Sequence, residues 1–281
     1  MTKIILQGIG LTSDSAQKIA EKYDMALNIK NSYYQLHKNI QISSFNHDDL
    51  NNLRVTYPFD INLLPHNYNP NQIKLFISDM DSTLINVECI DEIADYVGKK
   101  KEVSKITESA MRGELDFKDS LTQRVRLLAG VSEYILQKIY ETRIRLNPGG
   151  RELLSVLKQK NIRIALVSGG FTYFTDLLKQ KYDLNFTLAN TLEIKNGKLT
   201  GEVTPPIVDA TTKAQFLLYL CKELQIETSQ VIAIGDGAND LEMLKTAGLG
   251  IAYHAKEKVQ KSAQIVLNHC SLDGVLPFIG Y

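Results

Sequence analysis

Two aspartates one residue apart, Asp79 and Asp81, follow the apolar run Lys74 to Ser78 and precede Ser82 and Thr83. A carboxylate can attack phosphorus and hold the phosphoryl group as an acyl phosphate, which splits one difficult displacement into two easier ones. Asp79 is the candidate nucleophile. Asp81, two residues later, would share its side of a continuing strand and manage protons as general acid and base. Two acids facing a phosphate repel it, so the site needs cations and donors. Asp79 and Asp236 can hold a hard ion such as magnesium through carboxylate oxygens. Ser168 offers a hydroxyl, Gly169 a closely approaching backbone N–H, and Lys213 a point charge.

Each of these features has an ordinary reading when taken alone. An Asp-x-Asp pair is common turn chemistry, Ser-Gly-Gly fits any strand-to-helix turn, and most lysines are solvated. Spacing does not choose among Lys195, Lys198 and Lys213; the Thr-Thr-Lys helix start favours Lys213. Gly235-Asp236-Gly237-Ala238-Asn239-Asp240 lacks the later ligands of an EF-hand loop. The five histidines, His37, His47, His66, His254 and His269, are scattered and suggest no metal cluster.

The clusters must be brought together by the elements that carry them. Ile73 to Ser78, Arg163 to Val167 and Val231 to Ile234 read as buried strands, each ending in a polar or Gly-rich turn with a helix after it. That pattern predicts an α/β fold with a doubly wound parallel sheet, whose ligands gather at the strand C-terminal ends. Glu88 to about Ile139 reads as successive amphipathic helices interrupted by Gly98, Gly113 and Gly130, a helical insert. Pro148-Gly149-Gly150 opens a helix, Asn196-Gly197 marks a hairpin, and Lys213 starts a helix to about Leu224.

Upstream, Lys3 to Gln7 reads as a strand, Ser13 to Tyr23 as a helix capped by Ser13 or Asp14, and Ala26 to Ile29 as a strand. Tyr57 to Gln72, rich in Pro and Asn, reads as a linker. The expected division is a small N-terminal α/β extension at 1–70, a catalytic core at 71–87 and 148–281, and a helical cap at 88–147.

An apolar fraction of 44% with 23% charged residues excludes a disordered or fibrous chain. Thirty-two basic and thirty-two acidic residues leave no net field to gather nucleic acid or anionic lipid. Cys89, Cys221 and Cys270 form neither a redox pair nor a metal pair, and no run could span a bilayer. The expected location is the cytoplasm, with no nucleic-acid or membrane partner; a homodimer stays open.

The four clusters in this order, Asp79-Met80-Asp81-Ser82-Thr83, Ser168-Gly169-Gly170, Lys213 and Gly235 to Asp240, resemble the motifs of the haloacid dehalogenase superfamily. Within it, Asp-Ser-Thr-Leu followed by Glu88, with Phe117, Ser120-Leu121 and Arg124-Val125, is similar to the phosphoserine phosphatases from about Ile73 to the C-terminus. The resemblance implies that Asp79 attacks phosphorus while Asp81 protonates the departing serine oxygen and then activates water. It implies magnesium on Asp79, Asp236 and the backbone carbonyl of Asp81. It places Glu88 on the substrate ammonium, Arg124 on its carboxylate, Asn239 beside the phosphate, and Met111 and Phe117 at the closing cap. Some longer members carry an amino-acid-binding regulatory domain, of which residues 1–70 would be a shortened form. The alternatives are a relative acting on another small phosphomonoester, a phosphotransferase, or an inactive amino-acid sensor. Intact Asp79, Asp81, Lys213 and Asp236 argue against the last.

Overall fold

The computed structural model describes residues 2–30, 33–38 and 47–281. The chain opens with β1 (Thr2–Gln7), α1 (Ser13–Lys22), β2 (Ala26–Ile29), β3 (Tyr34–Lys38), α2 (His47–Thr56) and β4 (Asp60–Leu63). These strands form an antiparallel sheet in the order β2-β3-β1-β4, the split β-α-β arrangement. Ile4, Leu6, Ile19, Leu50, Leu53, Phe59 and Ile61 fill the layer between sheet and helices. Thr12 caps α1 in a reciprocal pair with Ser15, in place of the expected Ser13 or Asp14.

The stretch read as a linker, Tyr57 to Gln72, contains β4, a buried strand. Its alternation is complete: Phe59 and Ile61 face the helices, while Asp60 and Asn62 point the other way into polar partners. Turn-type residues on the second buried face disguised the strand.

The main sheet follows. Its elements are β5 (Leu75–Ser78), α3 (Cys89–Tyr96), α4 (Lys100–Met111), α5 (Phe117–Arg126), α6 (Glu133–Thr142), α7 (Gly150–Gln159), β6 (Arg163–Phe171) and α8 (Thr172–Tyr182). Then come β7 (Phe186–Lys195), β8 (Lys198–Thr204), α9 (Ala210–Leu224), β9 (Val231–Gly235), α10 (Leu241–Thr246), β10 (Leu249–Tyr253), α11 (Glu257–Gln260) and β11 (Ile265–Leu267). The strand order is β11-β10-β9-β5-β6-β7-β8, parallel except for the β7–β8 hairpin. Asn196 and Gly197 at that hairpin both have positive φ, 53° and 71°, as a two-residue I′ turn requires.

β5 is buried at every position because helices cover both faces of the sheet. Phe76 packs into the layer with α3, α7 and α8, and Leu75 and Ile77 into the layer with α9 and α10. β9 and β6 flank β5 in opposite directions, so the chain ends of these three neighbours open a crevice at the point where strand order reverses. No helix among the described residues is long and apolar enough to cross a membrane.

Candidate active site

β5 stops at Ser78, and Met80 to Leu84 form a wide helical turn in which Asp81 and Ser82 leave helical geometry. The expected continuing strand is therefore corrected: a turn, with Ser82 at φ 56°, brings Asp81 back beside Asp79. Asp79 is 4% exposed. Its Oδ1 accepts a hydrogen bond from Lys213 Nζ at 2.5 Å, and Asp240 Oδ1 accepts another from the same ammonium at 2.7 Å. Lys213 is the fourth residue of α9, whose start is Ala210 capped by Asp209, not Lys213 itself.

Asp81 is fixed from two sides. The Cys89 N–H donates to its Oδ1 at 2.8 Å and the Ser168 hydroxyl to its Oδ2 at 3.1 Å. The Gly170 N–H donates back to Ser168 Oγ at 2.7 Å. A Cβ on Gly170 would stand 2.5 Å from Asp81 Oδ2, and one on Gly169 would meet Phe117 Cζ at 2.8 Å. The Ser-Gly-Gly sequence is thus set by close approach of its neighbours. Asn190, fully buried, donates to the Gly169 carbonyl at 2.8 Å and accepts from the Val208 N–H at 2.8 Å, tying this loop to the segment that leads into α9.

Asp236 lies at the end of β9, where its Oδ1 accepts the Thr83 hydroxyl at 3.0 Å. Carboxylate oxygens of Asp79, Asp236 and Asp240 all fall within 4.8 Å of one another. Burial pushes Asp79 well above the ordinary carboxylate range, with Asp240, Asp236 and Asp81 adding to the rise against Lys213. Burial and then Asp240 push Asp236 up to about 6. Such crowding of hard oxygen donors with one ammonium among them suits a divalent cation, which would offset the excess negative charge. Burial lowers Lys213, but Asp240 and Asp79 outweigh it and hold the ammonium above its usual range.

The cluster forms one end of a cavity of about 620 Å³, lined also by Glu88, Asp91, Phe117, Arg124, Gly169 and Asn239. Glu88 accepts the Ser82 hydroxyl at 2.6 Å. Burial and the charge of Asp81 push its carboxyl to about 7, though the residue keeps solvent-exposed surface. Burial lowers Arg124, opposed by Asp91 and Glu88. The cavity therefore brings together Asp79, Asp81, Glu88, Phe117, Arg124, Ser168, Gly169, Asp236 and Asn239, with Lys213 bonded beneath Asp79. Met111 closes α4, and its side chain lies outside the described residues.

A family model described as haloacid dehalogenase-like hydrolase matches residues 73–248. The chain belongs to this family. Among curated relatives, a phosphoserine phosphatase of Polaromonas is 48% identical over 211 residues, 73% of this chain and 89% of the relative. A haloacid dehalogenase family hydrolase from Salmonella enterica serovar Typhi superposes with a TM-score of 0.91 at 34% identity, covering 99% of each chain. A substrate-bound phosphoserine phosphatase structure superposes with a TM-score of 0.70 at 39% identity, covering 74% of this chain and 98% of the other. The first relative and the substrate-bound structure match only about three quarters of the chain, whereas the Salmonella hydrolase spans all of it.

Sequence reasoning missed three participants. Asp240 was visible in its motif, but nothing marked it as the second partner of Lys213. Asn190 lies in an ordinary strand, and Asp91 reads as a surface helix position. Their roles come from partners remote in sequence, for which a single chain carries no signal.

Proposed function

We propose that the chain hydrolyses O-phosphoserine to serine and phosphate through an aspartyl-phosphate, the closing reaction of serine biosynthesis. One observation carries this reading: a single cavity is lined by Asp79, Ser168, Gly169, Asp236 and Asn239 together with Glu88 and Arg124, groups suited to a phosphate, an ammonium and a carboxylate. Phosphoserine carries one of each.

An Asp79 oxygen attacks phosphorus and the bond from phosphorus to the serine oxygen breaks. Asp81, whose pKa is raised by burial, gives its proton to that oxygen as serine leaves. Asp81 then takes a proton from water, whose oxygen attacks phosphorus and releases Asp79 and phosphate. Ser168 Oγ, the Gly169 N–H, Asn239 and Lys213 hold the charge that spreads over the phosphoryl oxygens. Arg124 receives the serine carboxylate as a bidentate donor and Glu88 the ammonium.

We assign magnesium to Asp79, Asp236 and the Asp81 backbone carbonyl, with Asp240 close by. When bound, it neutralises phosphate charge facing the acids. Helices α3 to α6 serve as the cap that excludes water, with Met111 and Phe117 over the substrate. We place the enzyme in the cytoplasm.

The test is phosphate release from phosphoserine with and without magnesium, against other phosphomonoesters and with added hydroxyl acceptors. Magnesium-dependent release with preference for phosphoserine is expected. Preference for another ester, or transfer to the acceptor in place of water, overturns the assignment.

A further inference from the structure

We propose that Lys118 and Asp209 form a latch that holds the N-terminal end of α5 over the cavity, a reading that rests on the cap role assigned above. Lys118 Nζ lies 3.1 Å from Asp209 Oδ2. The two residues stand on facing walls: Lys118 follows Phe117, Asp209 precedes Ala210, and Phe117 and Ala210 both line the cavity. Asp209 divides its carboxylate between two tasks. Its Oδ1 accepts the Thr212 N–H at 2.9 Å and hydroxyl at 2.8 Å, capping the helix that carries Lys213. Its Oδ2 is left for Lys118.

The exposure of the pair suits a contact that opens every turnover. The Lys118 side chain is 58% exposed and that of Asp209 22%. An ion pair so placed is weak and reversible, whereas a buried one would be costly to break.

The opposite end of α5 is fixed. The Gly130 N–H donates to the Leu199 carbonyl at 2.8 Å, the Leu199 N–H to Val131 at 2.8 Å, and the Glu133 N–H to Gly197 at 2.9 Å. The segment after α5 thus continues the hydrogen bonding of β8. The first turn of the helix, by contrast, crosses to the residues before α9 through this solvated ion pair and to Gly169 through Phe117, so it is the end free to swing. That end carries Phe117, which rests against Gly169 of the phosphate loop. The latch therefore joins closure over the phosphate loop to the helix of Lys213.

The experiment compares wild type, Lys118→Ala, Asp209→Asn, the double variant and Lys118→Arg. Asparagine keeps the helix cap and removes only the charge. Hydrogen–deuterium exchange of residues 114–120 and KM for phosphoserine are read in parallel. Either single variant should speed exchange and raise KM about two- to five-fold, the double variant should be no worse than the worse single one, and Lys118→Arg should restore both. Exchange in α9 should stay at the wild-type rate. Exchange and KM unchanged in both single variants, or effects that multiply in the double variant, overturn the latch. Failure of wild type to hydrolyse phosphoserine overturns the functional assignment instead, and the exchange comparison still decides the latch.

Discussion

Two seams run along the main sheet, and they are made of opposite chemistry. Where the N-terminal sheet meets β11, the side chains that reach across from β4, Asp60 and Asn62, are buried. Asp60, 4% exposed, accepts the N–H groups of Asn268 at 2.8 Å, His269 at 3.1 Å and Cys270 at 2.9 Å. Asn62, with no exposed surface, donates to the Val266 carbonyl at 2.9 Å and accepts its N–H at 2.8 Å, standing in for a strand on the edge of β11. Where α5 meets the cleft, the crossing contacts include the solvated Lys118–Asp209 ion pair and the packing of Phe117 on Gly169, beside a cavity crowded with carboxylates. A seam of buried side chains that pair with backbone groups fixes geometry; a seam of excess charge and exposed contacts is unstable by itself and suited to binding and release.

The largest effect expected from this contrast is at the cleft. Asp79→Asn should lower kcat about 10⁴-fold or more, since the amide cannot form the acyl phosphate. Its Tm should not fall, because the substitution removes a charge that burial, and then Asp240, Asp236 and Asp81, disfavour against the opposing pull of Lys213. Phosphate release and thermal unfolding, measured on one preparation, check both halves. The opposite pattern is expected at the other seam. Asp60→Ala leaves three backbone N–H groups without an acceptor and should cost about 3 kcal/mol of stability in denaturant unfolding. Its kcat well below the unfolding temperature should match wild type. A large loss of kcat there would mean that the two seams are not separable.

The same contrast explains what could be read from the chain alone. β5, β6 and β9 were legible because parallel strands covered on both faces are continuous apolar runs, and the acids and glycines at their ends stood out against them. The insert was legible through the periodicity of its helices and the glycines between them. β4 was not, because Asp60 and Asn62 are turn-formers by type and become strand residues only when the loop at 268–270 and Val266 receive their side chains. β3 and α2 carried no apolar period strong enough to read. At the site, residue identity gave Asp79, Asp81, Ser168 and Asp236, whereas the pairing of Lys213 with Asp240 and of Lys118 with Asp209 depends on three-dimensional proximity.

A smaller effect should separate recognition from chemistry within the cleft. Arg124 lines the cavity, and among the described residues its guanidinium donates only through Nε, to the Ser120 carbonyl at 3.3 Å, which leaves its fork for a ligand. Arg124→Ala should lower kcat/KM for phosphoserine about 100-fold and leave turnover of an ester without a carboxylate within a few-fold of wild type. Equal loss on both substrates would assign Arg124 to the structure of the cleft and not to the serine carboxylate.

The smallest effect concerns Glu88, which touches the turn of Asp81 through Ser82. Burial and then the charge of Asp81 push it from 4.5 to about 7, so in the ligand-free enzyme the carboxylate that would receive the ammonium is half protonated near neutrality. For an acid, a raised pKa means that stability is full below the unfolded value and is lost as pH rises to the folded one, while binding to a cation gains as the folded group ionises around its own value. The kcat/KM for phosphoserine should therefore rise about ten-fold between pH 6 and pH 8. Glu88→Gln should flatten the part of that rise centred near 7, leaving the part near 6 that belongs to the phosphate dianion. Stability should move the other way: wild type loses ground to Glu88→Gln as pH increases from 4.5 to about 7 and no further above that. An unchanged pH profile in the variant would show that the limb belongs to another acid of the cleft, with Asp236 at about 6 the next candidate.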